Sequence, residues 1–219
     1  MERGIIVAFV QIKGGVGKST LVTNLSVAIS NDNKKVKIID CDVRQKTSSK
    51  WVARRIDSYP KKNKIFCSIQ SEELRNSVVE DSKNYDAIII DIQGRDSPSL
   101  RTALLISDIV YIPFIPSQND IETMEELSEL LKETFVQNKN RVTLYILNNC
   151  SSHYLDKSCS DASIYLSEYS NILAPSQAQI FHRKVYNIAS SEGLRVIETK
   201  DTKAKEEILI LKKEVINYV

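Results

Sequence analysis

The stretch Ile12-Lys13-Gly14-Gly15-Val16-Gly17-Lys18-Ser19-Thr20 narrows what this chain can fold into more than any other. An apolar, β-branched run, Ile5 to Gln11, leads into it. Behind it, Lys18 to Asn31 carries apolar residues at 21, 22, 25, 28 and 29, one face of a helix. A glycine-rich turn between a strand and a helix lets the backbone curl until successive amide N–H groups point inward, and the helix N-terminus adds partial positive charge. Such a turn cradles phosphate oxygens. In it Gly14, Gly15, Val16 and Gly17 supply the cradle, Lys18 reaches the β and γ phosphates, Ser19 offers its hydroxyl to Mg²⁺ and Thr20 touches the α phosphate. The usual first glycine is replaced by Ile12, and Lys13 is added. A lysine that early in the loop cannot easily fold back onto its own nucleotide, but it can cross to one held by a second subunit.

The rest of the chain alternates in a matching way. Strands are expected at Ile5 to Gln11, Val36 to Asp40, Ile65 to Ile69, Ala87 to Asp91, Ile109 to Pro113 and Val142 to Leu147, with weaker candidates near Ile172 and Val196. Helical spacing or helix-favouring composition separates most of them, as in Ile121 to Val136 and, at the end, Lys203 to Tyr218. Segments ordered this way predict an α/β fold, a doubly wound, mostly parallel sheet flanked by helices. Ligands of open parallel sheets sit beyond the carboxyl ends of the strands, which singles out Asp40, Asp91 and Asn148. No repeat or flexible linker divides the chain, so one domain over residues 1–219 is expected. The stretch from Ser151 to Ala178 shows no clear pattern.

Composition narrows the function classes only slightly. With 42 % apolar and 26 % charged residues the usage is that of an ordinary globular protein. A net charge of +2 does not by itself predict nucleic-acid binding, so any DNA affinity must come from local clustering. The cysteines Cys41, Cys67, Cys150 and Cys159 are far apart with no CxxC pair, which suggests reduced thiols rather than a zinc or disulfide framework. No leader or membrane-spanning run is apparent, and a cytoplasmic location is expected.

KGGVGKST resembles the deviant Walker A box of the ParA/MinD ATPases, P-loop NTPases in which the extra lysine acts across an ATP-sandwiched dimer. The resemblance continues through Asp40-Cys41-Asp42-Val43-Arg44-Gln45, through Tyr85 to Asp91, and through Ser107 to Pro113 with Pro116-Ser117. Ile180, Arg183, Val185, Tyr186, Glu192-Gly193 and the terminal helix are similar to the small plasmid-partition ParA proteins of the ParF kind. The first strand starts at residue 5, which leaves no room for the N-terminal DNA-reading domain of larger ParA proteins. The resemblance implies a Mg²⁺-dependent ATPase that dimerises on ATP, with Lys13, Lys18 and Asp42 catalytic and Asp42 placing the attacking water. It also implies that Asp91, at the Walker B position, holds a Mg²⁺-bound water and that Asn148 contacts adenine. Asn148 and Asn149 equally suit a turn. After Asp42 the family usually has Pro-Gln; here Val43-Arg44-Gln45 is similar to the MipZ branch, and Arg44 or Gln45 either touches the active site or is an ordinary loop residue.

The same resemblance implies three partners: a second copy of the chain, a ParB-type adaptor that stimulates hydrolysis, and nonspecific DNA bound by the ATP dimer at the nucleoid. Candidate DNA contacts are Arg183, Lys184, Lys200, Lys203 and Lys205, then Arg54, Arg55, Lys61, Lys62 and Lys64. A different class is membrane positioning as in MinD, since Ala204 to Val219 carries Ile208, Leu211, Val215 and Ile216 on one face. That stretch is more similar to the packed final helix of short ParA proteins.

Overall fold

A computed structural model describes residues 3–70, 72–116, 123–153 and 155–218. Seven strands form one parallel sheet: β1 (Ile5–Phe9), β2 (Val36–Asp40), β3 (Ile65–Ile69), β4 (Ala87–Asp91), β5 (Ile109–Phe114), β6 (Val142–Leu147) and β7 (Ala174–Pro175). Their spatial order is β3-β2-β4-β1-β5-β6-β7. The chain winds outward from β1 in one direction and then in the other, so β1 lies at the switch point where doubly wound sheets bind ligands. β1 aligns Ile5 with Ala87 and Phe9 with Asp91 on one side, and Val7 with Ile109 on the other.

Side chains alternate across the strands, and the two faces feed separate cores. Val7, Phe9, Ile38 and Ile89 face α1 (Lys18–Ser30) and α2 (Thr47–Ser58). Ile6, Ala8, Ile88 and Ile90 face α3 (Leu74–Asp81), α4 (Pro98–Ile106), α5 (Met124–Phe135) and α6 (Ser158–Ser167). On the first face α7 (Lys184–Ser191), a 3₁₀ turn (Val196–Glu198) and α8 (Thr202–Asn217) complete the layer.

The expected strands agree with the observed ones to within two residues at each end. Near Ile172 only the two-residue β7 forms, and Val196 begins a 3₁₀ turn rather than a strand. Val196 is held there because its N–H donates to Asn24 Oδ1 in α1 at 3.1 Å. Ser117 and the expected helix start at Ile121 lie outside the described residues. α1 also departs from the one-faced helix that its apolar spacing suggested. From Leu21 to Ser30 it is buried all round, because α8 covers the side away from the sheet with Ile208, Leu211 and Val215. Its polar residues are satisfied locally: Thr23, Asn24 and Ser26 donate to the carbonyls of Ser19, Thr20 and Val22. No helix among the described residues is long and apolar enough to cross a membrane.

Candidate nucleotide site

The loop from Ile12 to Gly17 joins β1 to α1 at the carboxyl edge of the sheet. Gly17 precedes the helix with φ 92°, a left-handed conformation that costs glycine nothing, and an added Cβ would collide with the Asn148 amide. No side chain caps α1, as is the case for most of the helices, so its first-turn amides are open to a phosphate. A Cβ built on Gly14 or Gly15 meets nothing within 4 Å, so the loop opens onto free space. Gly94, three residues after β4, packs against the loop so closely that a Cβ would lie 2.7 Å from Gly14 N. Hence the segment after Asp91 and the phosphate loop touch through bare backbone.

Lys18 is 7 % exposed and donates to Gln11 O at 3.1 Å and Lys13 O at 2.9 Å, bridging the two ends of the loop. Burial pulls its ammonium down to about 8, against the opposing pull of Asp91 and Asp42. Asp91 accepts from Ser48 Oγ at 2.6 Å, and burial pushes its carboxyl up to about 6 although Ser48 and Ser19 hydrogen-bond to it. Ser19 and Asp91 thus meet beside the loop, a hydroxyl and a carboxylate of the hard-oxygen kind that suits Mg²⁺. Asp40 accepts from Ser49 N and Ser49 Oγ, tying β2 to the start of α2. Asp42 Oδ1 accepts from Arg44 N at 3.2 Å and Gln45 N at 2.9 Å, so the aspartate shapes its own loop. Arg44 and Gln45 are both exposed.

On the other side of the loop lies a cleft of about 210 Å³. Its floor includes Gly15, Gly17, Thr20 and Asn148, and its far wall is Phe181, His182, Arg183, Tyr186 and Asn187. Asn148 Nδ2 donates to Val16 O at 2.7 Å, steadying the loop. The turn falls to its neighbour: Asn149 adopts φ 58°, and its Oδ1 pairs with His182 Nδ1 at 2.6 Å. A phosphate cradle adjoining a cleft of mixed polar and aromatic lining suits a nucleotide lying across both. A larger cavity, about 900 Å³, lies at the amino ends of the strands around Arg3, Tyr85 and Asp86, remote from this edge.

One residue that organises the cleft carried no local signal. Glu207 of α8, itself buried, accepts from Arg183 Nε at 2.7 Å, Tyr186 Oη at 2.8 Å and Phe181 N at 3.3 Å. It therefore sets the wall opposite the phosphate loop. Glu207→Ala leaves these donors unpaired and is expected to lower stability by about 2–4 kcal/mol, read by urea denaturation. ATP affinity should fall with it; unchanged stability would detach Glu207 from the wall.

Glu207 also corrects the basic-patch expectation, since Arg183 is held in that ion pair. Arg55 is 3 % exposed and forks onto Glu198 at 2.8 and 3.1 Å, with Lys62 on the same carboxylate at 2.8 Å. A buried, paired guanidinium is no surface contact. Lys184, Lys200 and Lys203 are exposed, as are Lys61 and Lys64.

A family model described as the CobQ/CobB/MinD/ParA nucleotide binding domain matches residues 7–187. The chain belongs to this family. Protein VirC1 of Rhizobium rhizogenes is 23 % identical over 95 % of this chain and 96 % of its own length. The fold is also that of McdA from Cyanothece in an ATP complex, with a TM-score of 0.76 at 15 % identity over 98 % of this chain and 97 % of that one. A plasmid partition protein from Borrelia burgdorferi superposes with a TM-score of 0.67 at 19 % identity, over 97 % and 100 % of the two chains. The phosphate loop, Asp40, Asp42, Asp91 and Asn148 all fall inside the matched span, whereas α8 with Glu207 lies beyond it.

Proposed function

We propose that this protein is an ATPase of the DNA-partition kind, which dimerises on ATP, binds duplex DNA without sequence preference and hydrolyses ATP under stimulation by a ParB-type adaptor. The observation that carries the reading is the lysine-bearing phosphate loop at the sheet's switch point with Asp42 and Asp91 beside it. Mg²⁺ held through Ser19 and Asp91 supplies charge neutralisation at the phosphates. The chain's own residues do the rest. Lys18 and the α1 amides hold the β and γ phosphates, Asp42 aims the nucleophile, and Lys13 reaches the nucleotide of a second copy. Asn148 and the 181–187 wall take the base.

Exposed Lys184, Lys200 and Lys203 are the DNA contacts of this reading, doubled by the dimer's symmetry. Arg183 acts there only by orienting the wall next to Lys184. A membrane-gripping role for α8 finds less support, since Ile208, Leu211 and Val215 are buried against α1.

The test is co-sedimentation of the Asp42→Ala protein with nonspecific duplex DNA and, separately, with anionic liposomes, each in ATP and in ADP. ATP-dependent, salt-sensitive capture by DNA alone is expected. Capture by liposomes would transfer the protein to membrane positioning, and capture by neither would leave a nucleotide switch without this cargo. Lys13→Ala should bind ATP within about threefold of the parent affinity yet fail to dimerise, as read by light scattering, because a group acting in trans contributes little to the monomer. A dimer of unchanged stability with full turnover would remove Lys13 from that role.

A further inference from the structure

A third cavity, about 400 Å³, opens between the first turn of α1, one face of α2 and the end of α7. Its volume lies in the range of small-ligand sites. Lys50, Arg54 and Arg195 line it, together with Ser19, Thr20, Gln45, Thr47 and Ser190, and no acidic residue does.

Arg195 is the unusual member. It is 3 % exposed and lies over the Trp51 ring, its guanidinium carbon 4.1 Å from the ring centroid. Its Nε and one terminal nitrogen are buried with no hydrogen-bond partner. An unpaired guanidinium is costly to bury, and here burial together with the neighbouring Arg55 pulls it down to about 9. Glu198 offsets this only in part, through space and without a side-chain hydrogen bond to Arg195. That carboxylate is already forked onto Arg55 and bonded to Lys62, and it meets Arg195 only through the backbone N–H at 3.0 Å. The cavity is therefore edged by a surplus of positive charge, and two buried guanidinium nitrogens beside it have no hydrogen-bond partner.

We infer that this cavity is a second phosphate-binding site, adjoining the phosphate loop at Ser19 and Thr20, in which Arg195, placed over Trp51, and the rim residues Lys50 and Arg54 receive a tetrahedral phosphate group. A guanidinium packed against an indole is restricted in orientation, and flanking hydroxyls and an amide complete a donor set for which a phosphate has enough oxygens. The group has two possible sources, free orthophosphate or the backbone of duplex DNA, and the chemistry is the same for both. The site stands on its own geometry and not on the DNA reading.

Trp51 is the chain's single tryptophan, so its fluorescence reports this cavity. Titrating the full-length protein with sodium phosphate at constant ionic strength should give a saturable change in Trp51 emission. In Lys50→Ala/Arg54→Ala, which alters exposed side chains only, the midpoint should rise tenfold or more, and Arg195→Lys should weaken it as well. The change should persist in Lys18→Ala, where the phosphate loop is disabled. The inference is overturned by an absence of saturation, by an unshifted midpoint in the double variant, or by loss of the response in Lys18→Ala, which would place the phosphate in the loop. A duplex oligonucleotide that elicits the same change and competes with phosphate supports a DNA source; a response to phosphate alone supports the free anion.

Discussion

Lys18→Ala is expected to weaken ATP binding by about 100-fold or more, since two charge-assisted bonds to phosphate are lost at about 1.5 kcal/mol or more each. The apo protein should lose little stability. In the free state Lys18 Nζ bridges the carbonyls of Gln11 and Lys13 and is pulled down to about 8 by burial. Its removal deprives two carbonyls of a donor but also relieves a desolvated charge, and these effects oppose each other. Calorimetric titration with MgATP beside urea denaturation separates the two quantities. Affinity within about threefold of the parent protein would discard the phosphate-loop assignment, because an ammonium aimed at the β and γ phosphates cannot be that dispensable.

Asp42→Ala should lower turnover by about 100-fold or more while leaving ATP affinity within a few-fold, as expected for a group that positions the nucleophile. Dimers formed in ATP should then persist. The substitution also removes the acceptor for Arg44 N and Gln45 N, so a slow enzyme could reflect a slack loop. Asp42→Asn separates these causes, because asparagine keeps the Oδ1 acceptor and loses the charge. If single-turnover hydrolysis stays slow in the asparagine variant, Asp42 acts on the nucleophile. If asparagine restores the rate, its part is to shape the loop.

Most of the frame was legible in the sequence. β2, β3, β4 and β6 begin and end where their apolar runs do; β2, β4 and β6 are largely buried parallel strands that write their position as local composition, and β3, at the sheet edge with Phe66 and Ile69 exposed, keeps the apolar run all the same. The phosphate loop was legible for a similar reason, since its glycines, lysine and hydroxyls lie within nine consecutive residues. Asp40 and Asp91 followed from ending strands in a parallel sheet. All of this depends on near neighbours along the chain.

What only the tertiary structure decided depends on distant pairs. Arg55 and Arg183 read as surface charge until Glu198 and Glu207, 143 and 24 residues away, were found against them. Val196 has strand-like neighbours, but Asn24, 172 residues earlier, takes its N–H. Nor does composition distinguish Arg195 from other arginines. The sequence alone determined the order of the elements and the place of the phosphate loop between β1 and α1, because hydrophobic period and turn geometry are local properties. Tertiary packing decided which charges are paired, which are buried without a partner and which remain at the surface, because burial and pairing belong to the space between elements.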